Sequence, residues 1–111
     1  MPECLFCRIV AREIPASIVC ETSTTLAFRD IHPKAPTHVL VIPKEHIVSL
    51  AGLNETHSAL ILDLTRTVQD VARLENVLSG GFRVVINNGK NANQMVPHLH
   101  YHVLAGRTLS D

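Results

Sequence analysis

Apolar positions along the chain change period several times, and each change marks an element. In CLFCRIVAREIP, Leu5, Phe6, Ile9 and Val10 fall at near-helical spacing until Pro15 breaks the pattern, so a short helix is predicted. Two β-rich runs, 17–21 and 25–30, flank the polar Thr22-Ser23-Thr24 and read as a hairpin. THVLVIP, residues 37–43, is rich in Val, Leu and Ile between Pro36 and Pro43 and reads as a third strand. Asn54 can cap a long helix whose apolar residues Leu60, Leu64, Val68 and Val71 recur three and four apart, with Gly80-Gly81 beyond its end. FRVVI at 82–86 reads as a fourth strand, NNGKNANQ as a polar loop, and PHLHYHV at 97–103 as the last strand.

The order β-β-β-α-β-β, after the opening short helix, predicts an α+β domain: an antiparallel sheet of five strands with helical cover. The 111 residues suffice for one domain, 1–111, with a modest core and no room for a second.

The last strand carries the densest chemistry. On a strand, His98, His100 and His102 share one face while Leu99, Tyr101 and Val103 take the other. Metal cage, acid–base pair and covalent nucleophile compete for that row. Histidines two apart have Cβ atoms roughly 6–7 Å apart, so adjacent ones can share a metal but three converge on one poorly. The preceding Asn87, Asn88, Gly89, Asn91, Asn93 and Gln94 form a turn-prone run of neutral donors, suited to phosphate oxygens. A neutral imidazole attacks phosphorus without a separate base, provided something fixes its tautomer.

Charge and cysteine usage narrow the partners. Ten Lys and Arg balance ten Asp and Glu, which argues against a nucleic acid partner. No stretch is long and apolar enough for a bilayer, and MPEC is no signal peptide, so a soluble cytoplasmic protein is expected. Three cysteines in that setting do not suggest a disulfide framework. Cys4 and Cys7 form a CxxC: a redox pair, a metal site or two buried thiols. No strand precedes it, as a thioredoxin-like motif requires, and zinc needs two further ligands.

HLHYHVL preceded by NQMVP, the upstream DIHPKAPTHVLVIPKEHI and the opening CLFCRIVAREIP together resemble the histidine triad (HIT) family, in its Hint-like branch of bacterial type with an N-terminal CxxC. The resemblance runs from about Cys4 to Arg107. It implies a five-stranded antiparallel sheet with one long and one short helix. It further implies a hydrolase or phosphoramidase that releases a purine nucleoside 5′-monophosphate through a nucleotidyl-histidine on His100. His102 would contact the phosphate, His38 would handle protons and phosphate, and Gln94 would reach the bridging or leaving atom. Asn87, Asn93 and Met95 would lie around the phosphate, Asp30 would bind the ribose hydroxyls, and Leu5, Phe6, Ile9, Phe28 and Ile31 would form the base slot. Ile9 reads equally well as ordinary core.

The same resemblance implies a structural zinc on Cys4, Cys7, His46 and His98, no organic cofactor, and a homodimer. Met95 departs from the family's frequent hydroxyl, Asn93 from its common glycine, and the TLSD tail after Arg107 is short, so leaving-group preference does not transfer. The alternatives are a dinucleoside polyphosphate hydrolase and a nucleotide- or partner-binding protein with little activity. Cys20 is expected in the core, and His32 and His57 on the surface.

Overall fold

In the computed structural model, which describes residues 4–111, the helix α1 (Leu5–Val10) precedes the hairpin β1 (Ile18–Glu21) and β2 (Thr25–Arg29). The strand β3 (Thr37–Pro43), the helix α2 (Ser58–Leu74), and the strands β4 (Phe82–Val85) and β5 (Tyr101–Ala105) follow. The five strands form one antiparallel sheet in the order β1-β2-β3-β5-β4. All seven residues of β3 are buried, because it is central and covered on both faces.

Alternation divides the sheet. Ala27, Val39, Val41 and Val103 pack with Leu64, Val68 and Val71 of α2, so the helical stripe covers this face. Leu26, Phe28, Leu40 and Ile42 pack with Cys4, Phe6 and Ile9 of the α1 region on the other face. A hydroxyl chain ties α2 to the hairpin: Thr25 Oγ1 lies 2.7 Å from Thr67 Oγ1, and both side chains are buried. Gly106 follows β5 at φ 101°, and a Cβ there would meet Pro36 Cβ at 2.7 Å, so only glycine fits.

Four expectations need correction. Helix α1 ends at Val10, capped by Ala11 with Arg12 at φ 62°, well before Pro15. Asn54 caps a 3₁₀ turn, Glu55–His57, and α2 starts only at Ser58. His57 is half-buried rather than free on the surface, since its Nδ1 accepts the Asn54 N–H at 3.0 Å and completes a capping box. The histidine row enters the sheet late: β5 begins at Tyr101, so His98 and His100 precede the ladder. There the backbone is held instead by Leu99 N–H donating to Ile47 O at 2.7 Å, and residues 98–101 are all buried because both faces are covered. His32 is exposed and Cys20 half-buried against the α2-side core.

Candidate active site and metal centre

His100, just before β5, has its ring nearly enclosed and perpendicular to Phe6 at a centroid distance of 5.1 Å. Its Nδ1–H donates to the His98 carbonyl oxygen at 2.8 Å. A carbonyl only accepts, so the proton of the neutral ring sits on Nδ1 and Nε2 keeps a lone pair. That is the tautomer a nucleophile at Nε2 requires.

Beside it, His38 and His102 form a second fixed arrangement. The Lys34 backbone N–H donates to His38 Nδ1 at 3.0 Å, so the neutral His38 ring carries its proton on Nε2. That proton is 2.9 Å, nitrogen to nitrogen, from His102 Nδ1, which must accept it. The proton of neutral His102 is then on its Nε2. Strand register explains the meeting: His38 pairs with Leu104 and Leu40 with His102, so the two histidines are diagonal neighbours on one face. Burial holds His38 below its ordinary pKa, with Asp30 opposing and Lys34 assisting. Burial also pushes His102 down to about 4, helped by His100 and His38, so it is neutral at pH 7. Asp30 Oδ2 lies 3.4 Å from His38 Nε2, while its Oδ1 accepts the His32 N–H at 2.8 Å.

Cys4, Cys7, His46 and His98 bring their Sγ and Nδ1 atoms within 4.8 Å of one another. Cys7 Sγ is 3.1 Å from His46 Nδ1 and 3.5 Å from His98 Nδ1, and Cys4 Sγ is 3.4 Å from His98 Nδ1. A tetrahedral zinc with Zn–S of about 2.3 Å and Zn–N of about 2.0–2.1 Å sets its ligands roughly 3.3–3.8 Å apart, so the set fits. Donor chemistry agrees with geometry. His98 is fully buried and its Nε2–H donates to Pro43 O at 2.8 Å, which turns the Nδ1 lone pair toward the sulfurs. The Cys7 N–H points at Cys4 Sγ at 3.4 Å, as a thiolate acceptor favours. Burial first, then Cys4, pushes the Cys7 thiol up, a cost that a dication in the site would reverse.

The loop 87–96 wraps a 3₁₀ turn, Lys90–Ala92, closed by Asn93 in the left-handed region at φ 59°. Asparagine tolerates that conformation best after glycine, which accounts for Asn93 at this position. The Gln94 amide is engaged on three sides: Oε1 accepts Gly89 N–H at 2.8 Å, and Nε2 donates to Val48 O at 2.7 Å and Val96 O at 3.0 Å. Asn88 Oδ1 accepts the Ala51 N–H at 2.7 Å, a second tie to the same strap after β3. Asn87 is half-buried and Met95 is 78% exposed.

Comparison with known proteins now decides the family. The HIT domain profile matches residues 11–109. The chain belongs to the HIT domain family. It is 36% identical over 107 residues to the purine nucleoside phosphoramidase of Escherichia coli, covering 96% of this chain and 90% of that protein. It is 43% identical over 108 residues to the 14 kDa zinc-binding protein of Zea mays, covering 96% and 84%. Among solved structures, the HIT family hydrolase of Legionella pneumophila superposes with a TM-score of 0.94 at 42% identity, covering 97% of this chain and 96% of that one.

Within this HIT fold the expected site residues separate into groups. His38, His100, His102 and Asp30 come together, and so do the four Cys/His ligand atoms. Phe6, Ile9 and Phe28 are buried in the core under α1, with Phe6 and Phe28 edge to face at 5.4 Å, whereas Leu5 is 45% and Ile31 86% exposed. Ile9 therefore serves the core, while Leu5 and Ile31 stand open. The groups that sequence reading missed are mostly backbone: Lys34 N–H, Pro43 O, Val48 O and the His98 carbonyl. Backbone atoms leave no mark in residue identity, and only the register brings them into place.

Proposed function

We propose that this HIT protein is a nucleotide hydrolase that cleaves a phosphoramidate or similar nucleotide conjugate and releases a purine nucleoside 5′-monophosphate. The observation that carries the reading is the 2.8 Å bond from His100 Nδ1–H to the His98 carbonyl, which leaves Nε2 as the attacking atom. The lone pair on Nε2 forms a bond to the α-phosphorus as the P–N bond of the substrate breaks. The leaving nitrogen departs with the electron pair of the broken P–N bond and takes a proton from water, leaving hydroxide. The phosphorylated ring is cationic, and its Nδ1–H bond to the carbonyl shortens the energetic distance to it. That hydroxide attacks phosphorus, the P–Nε2 bond breaks with its electron pair returning to Nε2, and neutral imidazole is restored. His102, neutral and carrying its proton on Nε2, donates to a phosphate oxygen. Relatives described as a phosphoramidase and as a HIT family hydrolase support this class of reaction.

Asp30 holds the ribose, and Phe6, Phe28, Leu5 and Ile31 border the base, with Ile9 behind them. Asn87, Asn93 and Met95 lie along the phosphate loop, and Gln94 acts by holding that loop in shape. Cys4, Cys7, His46 and His98 would hold a zinc ion, which would tie α1 to the segment that follows β3 and to the approach to β5. Bound there it would supply structure, since all four donors come from the protein. The protein works as a cytoplasmic homodimer.

Incubation with adenosine phosphoramidate tests the activity. AMP should appear, and His100→Asn should abolish it with the fold retained. Turnover of dinucleoside polyphosphates in preference to phosphoramidates, or AMP binding with no turnover of any conjugate, would replace this reading.

A further inference from the structure

His38 has one proton to give, which His102 accepts, and the Asp30 carboxylate lies close beside it. Its Nδ1 is committed to the Lys34 N–H at 3.0 Å, so the neutral ring carries its proton on Nε2. That Nε2 is 2.9 Å from His102 Nδ1 and 3.4 Å from Asp30 Oδ2. The other carboxylate oxygen, Oδ1, is held by the His32 N–H at 2.8 Å, so the Asp30 carboxylate cannot swing away freely. The His38 side chain is only 3% exposed and that of Asp30 19%, so water screens the contact weakly. The carboxylate makes no hydrogen bond to Nε2 at that distance, but a negative charge so near pulls electrostatically on the proton that His102 accepts.

We propose that the ribose hydroxyls act on this proton: by donating to Asp30 they weaken its electrostatic pull and strengthen the His38 Nε2–H bond to His102, so ribose recognition raises turnover as well as affinity. This rests on the assignment of Asp30 to the ribose. With its Nδ1 firmly engaged, His102 is held in the Nε2–H tautomer and in the ring orientation that faces phosphate. Without the hydroxyls that pull persists and His102 is less well fixed. His38 is thus a positioning residue, and Asp30 determines specificity through it.

Two measurements on the full-length protein test the coupling. In steady-state kinetics, the 2′-deoxy analogue of adenosine phosphoramidate should lose about tenfold in kcat besides any rise in KM, the size expected for one charge-assisted hydrogen bond. In Asp30→Asn, whose side chain no longer presents an anion to His38, the ribo and deoxy kcat values should agree within about twofold although KM is raised. In imidazole ¹⁵N spectra, AMP should shift the His38 Nε2 and His102 Nδ1 resonances toward a stronger mutual hydrogen bond, and 2′-deoxy-AMP should shift them less. A deoxy penalty confined to KM, or equal ¹⁵N shifts with the two nucleotides, would overturn the coupling while the hydrolase reading stands. Failure of AMP to perturb any site residue would overturn both.

Discussion

His98 accepts the Nδ1–H of His100 on its backbone carbonyl at 2.8 Å, while its own imidazole faces Cys4 and Cys7 at 3.4 and 3.5 Å. One residue therefore belongs to both centres. Its ring is anchored by Pro43 O on one nitrogen and by the sulfurs on the other, and its carbonyl aims the neighbouring ring. Any displacement of the His98 ring within the Cys/His cluster reaches His100 through the His98 backbone carbonyl.

Protein purified without added metal should contain about one zinc per chain by elemental analysis, the stoichiometry of a closed four-ligand site. Cys7→Ser and His46→Ala should lower that content and the Tm together, since ligand binding energy is folding energy in such a site. Cobalt substitution should give the intense thiolate charge-transfer band of a tetrahedral S₂N₂ site. Well under one metal per chain, with an unchanged Tm in both variants, would contradict the assignment.

Gln94→Glu should be more damaging than Gln94→Ala. Alanine removes three hydrogen bonds from the loop, whereas glutamate sets an anion against the Val48 and Val96 carbonyls that now accept from Nε2. A loss of about 1–2 kcal/mol is expected for alanine and more for glutamate, read by denaturant unfolding. Faster hydrogen exchange at the Gly89 amide should accompany both. Equal stability of the two variants and the parent would show that the clamp is idle.

His38 and His102 are both held below the ordinary histidine pKa, His102 at about 4. Between pH 6.5 and about 4 the unfolded chain therefore binds protons that the folded one refuses, and stability falls as pH falls through that window. Above pH 7 both states are neutral and this contribution is flat. The His102 part amounts to roughly 3 kcal/mol once pH falls below its folded value. His102→Gln should flatten the acid side of a stability-against-pH curve, and an unchanged slope would refute the assignment.

The sheet was legible because its strands are marked by composition and by prolines at their ends. THVLVIP becomes β3 residue for residue, and FRVVI loses only its last position. The start of α2 and the end of α1 were misread because the deciding features, a 3₁₀ turn and Arg12 with positive φ, carry no residue signature. The histidines announced the chemistry, but the meeting of His38 and His102 depends on register across β3 and β5, which lies 64 residues away in sequence. Gln94 is likewise placed by the fold. Its amide is occupied by Gly89, Val48 and Val96, contacts set by how the loop folds back on the strap.

Strand β4 is an edge, and Phe82 and Val84 on it are 36% and 41% exposed on the face that α2 covers elsewhere. Leu62 and Leu74 of α2 are also exposed. Sedimentation should give about twice the 12.2 kDa chain mass, and Val84→Lys should shift it toward the monomer. A parent protein that sediments as a monomer at micromolar concentration would rule out the dimer.

The most direct test is rapid base quenching during turnover of a radiolabelled nucleoside phosphoramidate, followed by peptide mapping at alkaline pH. An acid-labile nucleotidyl adduct should form at the rate of the first step, on the peptide that holds His100, and should be absent from His100→Asn. Full turnover with no adduct on that ring at any quench time or pH would contradict covalent attack by His100.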